Sequence, residues 1–536
     1  MLRLTEIKLS LDHDAAALRA AILRTLGIAD AELLGYRLRR RGYDARRSGV
    51  IEFVYTLDVE VRDEAALLRK YRGSAHIAPA PDETYRYPLQ APAAPARRPV
   101  VIGTGPCGIF AALSLARMGL RPLVLERGRS VRQRARDVWR FWRRRDFDPV
   151  SNVQFGEGGA GTFSDGKLHT GIKDRGHHIR RILQDFVDCG APEEILYISK
   201  PHVGTLRLVK VVEQLRQRIH EAGGEIRFEA KVSDILIEQG AVRGVVLANG
   251  EQVDTSHVIL AVGHSARDTF EMLHARGVHI DPKPFSIGFR IEHPQHLIDV
   301  CRLGRYAGHP QLGAADYKLV HHSRNGRSVY SFCMCPGGQV VAATSEEARV
   351  VTNGMSHYSR ADHNANAGIV VGITPADFAS DHALAGIALQ RELEARAFVL
   401  GGGNYNAPAQ CVGDFLAGRA STALGSVTPS YTPGVTLTDL GASLPEYAIA
   451  AIREALPEFD QTIRGFAMPD AVLTGVETRT SAPIRIPRDA HSYACPGTRG
   501  LYPAGEGAGY AGGIISAAVD GMKVAEAVAR SLVPER

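Results

Sequence analysis

The chain has 536 residues, of which 45% are hydrophobic and 23% charged, and its formal net charge is +6. This composition excludes disordered, fibrous and membrane-embedded proteins, and the length favours two or three domains over one. The charged start of the chain has no apolar core, so we expect no secretory signal; seven scattered cysteines without a CxxC pair indicate a reduced, cytoplasmic protein.

The first 78 residues have the pattern of a small separate domain. The predicted elements are a strand with a phase change, a helix, two strands and a helix, over residues 2–11, 15–26, 33–39, 51–61 and 63–71. An extended piece follows them. This order is that of the split βαβ motif, so we predict a ferredoxin-like domain over residues 1–78.

Basic residues are concentrated in this domain between Arg37 and Arg47. Such a run suggests nucleic-acid binding, but aromatic residues that could stack on bases are few, Tyr36 and Tyr43 alone. A solvated face or a surface that docks another domain is the favoured interpretation. Binding of nucleic acid or of a protein partner stays open as the alternative.

A segment rich in proline and alanine, residues 79–99, is the predicted domain linker. Strands and helices then alternate as in an α/β domain, which we place over residues 100–282. A strand-rich α+β region over residues 283–470 is the expected substrate or cap domain. Residues 471–536 are expected to complete the α/β domain.

The strongest motif is a buried strand that runs into a glycine-rich turn, Val100-Val-Ile-Gly-Thr-Gly-Pro-Cys-Gly108. In a dinucleotide-binding turn Gly103 allows the sharp bend, Gly105 lets the backbone approach a pyrophosphate, and Gly108 lets helix and strand pack closely. A second strand, residues 121–125, ends at Glu126, where a carboxylate is expected to bind a ribose hydroxyl. The motif therefore predicts a Rossmann-like nucleotide site.

A second strand and glycine turn stand near the other end of the chain. The stretch from Gly500 to Glu506 reads as a short strand, and a run of glycines then leads into a helix over residues 515–532. The two turns together resemble the FAD domains of the glutathione-reductase-like superfamily. That resemblance implies FAD, with Glu506 near its ribityl and pyrophosphate part and Val232 against adenine, and it extends to the strand over residues 258–263.

Over nearly its whole length the chain also resembles uncharacterised bacterial FAD-dependent dehydrogenases with a ferredoxin-like N-terminal extension. The segments that carry this resemblance are residues 152–167, 331–338 and 477–485. The motifs and resemblances together give the expected FAD-binding residues: Gly103, Gly105, Pro106, Gly108, Glu126, Arg127, Gly158, Gly159, Gly161, Lys167, Val232, Gly263, Gly505, Glu506, Gly512, Gly513 and Ile514.

Two segments allow a functional and a structural interpretation. The glycines between Gly156 and Gly161 could pass close to the flavin or form a flexible surface loop. Lys167 could stabilise an anionic reduced flavin, or form an exposed pair with Asp165. Contact with the cofactor is the favoured interpretation.

No residue of the sequence stands out as the catalytic acid or base. Candidates are Lys167, Arg479 and Arg485; the two arginines could clamp a carboxylate or phosphate, or belong to a salt-bridged loop. Cys333 and Cys335 could form a redox dithiol, but small core residues of a hairpin are the favoured interpretation. We expect no metal site.

The sequence as a whole predicts an FAD-dependent oxidoreductase, a dehydrogenase or reductase that acts on a small organic substrate. No second glycine fingerprint is present, so NAD(P)H, if it is the electron donor, would dock transiently. An FAD-containing factor that binds or modifies nucleic acid or protein through the basic N-terminal domain is the alternative. No membrane span is expected, and the substrate and the oligomeric state stay open.

Overall fold

The computed structural model describes residues 1–46, 49–92 and 95–533, and these form a mixed α/β protein. Arg47 of the basic run, Ala93 and Ala94 of the predicted linker and the last three residues of the predicted C-terminal segment lie outside the described residues. Within the described ranges, no helix is long and apolar enough to cross a membrane.

The N-terminal region is an antiparallel sheet with two helices. Its elements are β1 (Leu2–Ser10), α1 (Ala15–Leu26), β2 (Leu33–Asp44), β3 (Glu52–Val61), α2 (Glu64–Lys70) and β4 (Ile77–Pro79), with the strand order β2-β3-β1-β4. The phase change expected in β1 is a bulge between Leu4 and Ile7, where Glu6 has a φ of 58°. The bulge lets Leu4 and Ile7 both face the core, although they are three residues apart.

The segment after β4 is extended, as its prolines predict, but it packs on the rest of the protein. The Tyr85 hydroxyl donates to Glu526 at 2.8 Å, and the Ala91 N–H donates to the Met118 carbonyl, also at 2.8 Å. Tyr85 and Ala91 are therefore held against the C-terminal helix and the end of the helix that follows the first glycine turn.

The first part of the α/β domain alternates strands with helices. Its elements are β5 (Val100–Ile102), α3 (Pro106–Arg117), β6 (Leu123–Leu125), α4 (Val131–Arg144), α5 (His178–Asp188), α6 (Thr205–Glu221), β7 (Glu225–Arg227), β8 (Val232–Glu238), β9 (Ala241–Leu247), β10 (Gln252–Asp254), β11 (Val258–Leu260) and α7 (Arg267–Ala275). Strands β8 to β10 form a small antiparallel sheet of their own.

The strand-rich region follows. Its elements are β12 (Asp281–Pro282), β13 (Phe285–Pro294), α8 (Gln295–Leu303), β14 (Val320–His322), β15 (Ser328–Cys335), β16 (Gly338–Ala342), β17 (Thr352–Ser356), β18 (Asn364–Ile373), α9 (Ala385–Leu400), β19 (Ala407–Cys411), α10 (Val412–Ala417), β20 (Val435–Leu437), α11 (Glu446–Thr462), β21 (Val472–Glu477) and β22 (Ile484–Arg485). Seven of these strands form one sheet in the order β14-β15-β18-β13-β21-β19-β20.

The end of the chain returns to the α/β domain through β23 (Leu501–Pro503) and α12 (Ile514–Leu532). The parallel sheet has the order β23-β11-β5-β6-β7, so β23 occupies one edge. Helix α12 packs against α3 so closely that a Cβ on Gly521 would lie 2.1 Å from the Cys107 carbonyl oxygen. Strand β23 and helix α12 thus complete both the sheet and the core of this domain.

The N-terminal region docks on the α/β domain through the strand that carries the basic run. The Arg41 N–H donates to the Tyr197 carbonyl at 2.6 Å, and the Ser199 N–H donates to the Arg41 carbonyl at 2.9 Å. Arg39 forms ion pairs with Asp58 and Glu83. Two of the basic residues are therefore engaged within the protein.

Candidate functional site

A cleft of about 1510 Å³, part of it open to solvent, lies between the parallel sheet and the seven-stranded sheet. Its walls include the residues that directly follow β5, β6, β11 and β23, which are Gly103, Glu126, Ala261 and Ala504. These positions form the carboxyl edge of the parallel sheet, where open α/β sheets bind their ligands. The cleft runs from the first glycine turn to the turn after β23, so a single elongated ligand can contact both turns.

The first glycine turn has the geometry that its sequence predicts. Gly103 has a φ of 99°, and a Cβ there would lie 2.5 Å from the Ala261 carbonyl oxygen. A Cβ on Gly108 would lie 1.9 Å from the Gly103 carbonyl oxygen, so Gly108 serves the helix–strand contact and lies outside the lining of the cleft. Gly105 caps α3 without a side-chain bond, which leaves the first N–H groups of the helix directed at the cleft.

Glu126 is buried and holds the turn together. Its carboxylate accepts hydrogen bonds from the N–H of Thr104 at 2.8 Å, the Thr104 hydroxyl at 2.6 Å, the N–H of Gly128 at 2.8 Å and the N–H of Gly156 at 3.1 Å. The carboxylate lines the cleft. These four donors already occupy both oxygens of the Glu126 carboxylate. The bond that the sequence predicts between Glu126 and a ribose hydroxyl stays a prediction.

The glycine-rich loop after α4 lies directly against the first turn. A Cβ on Gly159 would lie 2.8 Å from the Gly105 Cα, and Gly161 lies beside Ile514. Gly159 and Gly161 line the cleft, whereas Gly158 faces the Thr162 hydroxyl and lies outside the lining. The favoured interpretation of this loop, close approach to a ligand, is consistent with its position.

The buried guanidinium of Arg134 fixes this loop from below. It donates to the carbonyls of Asn152, Val153, Gly156 and Glu157 at 2.7 to 3.2 Å. A cation inside the fold thus binds four backbone carbonyls of this irregular loop.

The C-terminal turn closes the same cleft. Gly505, Glu506, Gly513 and Ile514 line it, whereas the structure places Gly512 outside the lining. The Gly505 N–H donates to Asp520 at 2.7 Å, so α12 holds the turn. The pKa of Glu506 is raised to about 7. Burial is the main cause, Lys283 opposes it, and the nearby Cys333 adds to it.

The wall opposite the first turn contains charged groups and a thiol. The Lys167 ammonium donates to the Met334 carbonyl and lies 3.2 Å from an Asp165 carboxylate oxygen, and Arg360 pairs with both oxygens of Asp165. Burial opposes a charge on Lys167, but the Cys335 and Cys333 thiols and Asp165 outweigh it and raise the Lys167 pKa. Lys167 is therefore a cation in the wall of the cleft, not one half of an exposed pair.

The structure places the remaining predicted residues as follows. Val232, Gly263, Pro106 and Arg127 line the cleft, and Arg127 pairs with Asp268 at 2.9 Å. Arg479 reaches the lining but is buried and ion-paired with Glu394 at 2.9 Å. Arg485 is exposed and its guanidinium lies 5.2 Å from the centre of the Tyr510 ring, outside the lining. The two arginines thus do not meet as a clamp.

The cleft also contains residues that the sequence did not single out as site residues. They are Thr104, Cys107, Gln154, Phe155, His264, Ser265, Thr269, Phe332 and Asn353, among others, and Cys333, weighed above as half of a redox dithiol, lies with them. His264 and Ser265 directly follow the predicted strand that ends at Gly263, so their position was available from the sequence. Phe332, Cys333 and Asn353 come from the seven-stranded sheet and the strand beside it, and no local pattern places them beside the glycine turns.

In the described part of the chain, no group of three or more His, Cys, Asp or Glu side chains could hold a metal ion. The glycine turns at both ends of the cleft and the free N–H groups at the start of α3 are features that suit a dinucleotide with a pyrophosphate. The residues present therefore fit FAD.

Comparison with known proteins identifies the family. A protein of Clostridium beijerinckii (strain ATCC 51743 / NCIMB 8052), described as uncharacterised, is 47% identical over 526 residues, which cover 98% of each chain. The present chain belongs to the same family. Residues 284–480 match the model described as FAD-dependent protein, C-terminal domain-like, and residues 1–60 match a domain of unknown function, DUF8436. FAD is the cofactor of this protein.

Solved structures resemble the chain only distantly. CtdE in complex with FAD is 13% identical, with 81% of this chain and 83% of that chain covered and a TM-score of 0.31. A mutant of the halogenase PltM in complex with FAD is 12% identical, with 82% and 68% covered and a TM-score of 0.37. L-proline dehydrogenase from P. horikoshii is 12% identical, with 82% and 92% covered and a TM-score of 0.32. Values this low leave the reaction of this family open.

Proposed function

We propose that the protein is an FAD-dependent oxidoreductase, a dehydrogenase or reductase that transfers two electrons between the flavin and a small organic substrate. The observation that carries the proposal is the second wall of the cleft, where the partly buried cation Lys167 and the thiol of Cys333 line the same space as the glycine turns. A wall of this kind offers a substrate both charge and hydrogen-bonding groups beside the cofactor.

Bound FAD supplies two-electron redox chemistry at this site. Gly103, Gly105 and Gly159, with the start of α3, would hold its pyrophosphate. Lys167 would stabilise negative charge that develops in the cleft, since its ammonium is fixed by Asp165 and the Met334 carbonyl. With a pKa of about 7, the Glu506 carboxyl can hold or release a proton near neutral pH.

The test is the visible spectrum of the purified holoprotein, recorded without oxygen before and after NADH and then NADPH. Loss of the flavin absorption would identify a nicotinamide nucleotide as a transient electron donor. If neither nucleotide acts, the same experiment is repeated with amino acids, hydroxy acids and amines. A flavin that stays oxidised with every donor, and whose reduced form reacts with no organic acceptor, would contradict the proposal.

A variant that lacks the Lys167 cation makes this test more specific. Lys167→Met is expected to lower the flavin midpoint potential by about 30–60 mV, because a tenfold change in a two-electron equilibrium is about 30 mV. Lys200→Met is the matched control, since Lys200 is half exposed and pairs with Asp316 outside the cleft. Equal potentials for both variants would remove Lys167 from the proposed mechanism.

The alternative function through the basic run has less support. Arg39 is ion-paired with Glu83, and the Arg41 guanidinium lies 5.6 Å from the centre of the Tyr197 ring. Replacement of Arg39, Arg40 and Arg41 is therefore expected to disturb domain docking rather than nucleic-acid binding. Retention of nucleic acid by the native protein at moderate salt, and its loss in this variant, would favour the alternative.

We further propose the finer organisation that the sequence predicts: a ferredoxin-like domain over residues 1–78, a linker over 79–99, and a Rossmann-like FAD domain over 100–282 and 471–536 around a cap over 283–470. The strand orders β2-β3-β1-β4 and β23-β11-β5-β6-β7 support it. A cytoplasmic location is proposed as well, supported by the seven cysteines, which all lie in the described ranges and are free.

A further inference from the structure

Strand β15 ends in a Cys-Met-Cys segment that lies between the cleft and the core. Cys333 lines the cleft and is partly exposed, whereas Cys335 is fully buried behind it. The pairing of β15 with β18 is shifted between Phe332 and Cys335, and Cys333 has a φ of 42°. This bulge breaks the alternation of the strand and turns the side chain of Cys333 towards the cleft.

The Cys335 thiol lies against the backbone of the residue that carries the other sulfur. It donates to the Cys333 carbonyl at 3.3 Å. Space for the Cys335 sulfur depends on Gly354, because a Cβ at that position would lie 2.9 Å from it. The same position also leaves room for Asn366 and Arg290, so Gly354 serves the packing of polar groups and a sulfur at one point.

Two cations fix the segment. Arg290 donates to the Cys333 carbonyl at 2.9 Å, and Lys167 donates to the Met334 carbonyl. The neighbouring Cys335 thiol, with Lys167 and Arg290 nearby, lowers the pKa of the Cys333 thiol although partial burial opposes this, and the Cys333 sulfur in turn raises the pKa of Cys335. The thiol at the cleft is thus the one that ionises, as the attacking sulfur of a reactive pair must.

Carboxylates also face the pair. Glu477 pairs with Arg290 at 2.8 Å, Asp165 pairs with Lys167, and Glu506 lines the cleft on the opposite side. Glu477 and Asp165 each neutralise part of the positive charge of the cation that they contact. The sulfurs therefore lie in a site with fixed and balanced charges, beside the place where FAD binds.

We propose that Cys333 and Cys335 are a redox-active pair, a dithiol that closes to a disulfide and exchanges two electrons with the flavin. Closing the disulfide joins the two sulfurs, removes the one remaining thiol proton and releases two electrons. Oxidised FAD is the two-electron acceptor, so the couple balances without a further oxidant. This inference rests on the proposed function, since it makes the flavin the partner of the pair.

The first test counts electrons. The holoprotein is oxidised with oxidised glutathione, desalted and titrated with dithionite without oxygen. We expect about four electrons per FAD for the native protein, two for the flavin and two for the disulfide, and about two for Cys335→Ser. Cys301→Ser, which removes an exposed cysteine outside the cleft, should keep the native value. A native value of about two electrons would overturn the proposal.

The second test detects the bond itself and does not depend on the flavin or on turnover. Protein equilibrated in glutathione buffers is alkylated and cleaved with trypsin, and the mass of the peptide that spans residues 328–349 is measured. We expect an internal disulfide in oxidising buffers, absent in Cys333→Ser and present in Cys301→Ser. Two alkylated cysteines in every buffer would show that the pair is structural.

The two proposals fail separately. Dithionite reduces the flavin whether or not a substrate is known, so a protein that no organic donor reduces can still take up four electrons. A protein that takes up two electrons but is reduced by NADH would keep the proposed function and lose the dithiol.

Discussion

At Gly105, the requirements of the fold differ from those of the bound cofactor. Its φ of −68° and ψ of 178° suit any residue, and a Cβ there would meet only the Gly159 Cα, at 3.9 Å. The protein therefore tolerates a side chain at this position. A pyrophosphate that approaches the turn does not.

Gly105→Ala should consequently separate binding from folding. We expect the melting temperature of the apoprotein to change little and the affinity for FAD to fall at least about tenfold, a loss of about 1.4 kcal/mol. Flavin content after gel filtration and a fluorescence titration measure this. Gly171→Ala is the control, because Gly171 is exposed with nothing near its Cβ position; equal affinities for the two variants would place the pyrophosphate elsewhere.

At the scale of the elements, His178 joins α5 to α12. Its ring donates to Asp174 at 3.0 Å and to Glu526 at 2.8 Å. Burial lowers the His178 pKa, but the hydrogen bonds to the two carboxylates outweigh it and raise it to about 9. Because the folded state holds this proton more tightly, the stabilisation is complete below about pH 6.5 and is lost as the pH rises through about 9.

The native protein should therefore lose stability between pH 7 and pH 10 by about 2–3 kcal/mol through this group alone. His178→Gln is expected to melt lower at pH 7 and to show a flatter dependence in this range. Thermal melts of both proteins across these pH values provide the measurement. Parallel curves would show that His178 is not the responsible group.

A second junction between elements is the buried carboxylate of Glu394 on α9. It accepts from Arg267 on α7 at 2.7 Å and from Arg479 after β21 at 2.9 Å. Burial raises the pKa of Glu394, but the two guanidinium groups outweigh that effect and keep the pKa well below its ordinary value. Two buried cations therefore share Glu394, and Arg267 has a second carboxylate partner in Glu346 at 2.5 Å.

Glu394→Ala should destabilise the protein by about 3–5 kcal/mol, because it leaves these arginines buried without their shared partner. Glu392→Ala on the same helix should change stability by less than about 1 kcal/mol, since its pair with Arg396 is exposed. Chemical denaturation of the two variants compares them. A small effect of Glu394→Ala would mean that water or Glu346 replaces the carboxylate.

Sequence patterns located the elements best where the signal is local. Helix α1 begins at Ala15 and ends at Leu26 as predicted, whereas α3 begins at Pro106, inside the segment that the sequence predicts as strand and glycine turn. The difference arises because proline is well suited to the first turn of a helix, where its missing N–H has no partner to lose. The glycine turns could be placed in the site because each glycine has a local steric role.

The sequence did not allow us to predict which residues form the wall of the cleft that contains Cys333. Its position depends on a bulge in β15 and on the packing of one sheet over another, neither of which has a repeat in the sequence. The pairing of Arg479 with Glu394 likewise joins residues 85 positions apart. Long-range contacts of this kind decide which candidates reach the cleft and which are structural.

At the scale of the whole molecule, bound FAD should stabilise the folded protein. The cleft draws on β5, β6, β11, β15 and β23, so the cofactor contacts segments from the middle and the end of the chain. The apoprotein is expected to melt at a lower temperature, and FAD at 100 times its dissociation constant should add about 2.7 kcal/mol. FMN, which lacks the adenosine half, should add less; equal effects would mean that the adenosine side of the cleft contributes nothing.

The edge position of β23 and the contact of α12 with α3 also affect how the protein is made. Helix α12 begins about 400 residues after α3 ends. At about 5–20 residues per second, the ribosome needs roughly 20–80 seconds to reach it, and throughout this time the apolar side of α3 has no final partner. Chaperones therefore have a long interval in which to bind the nascent chain, and cofactor loading must follow translation rather than accompany it.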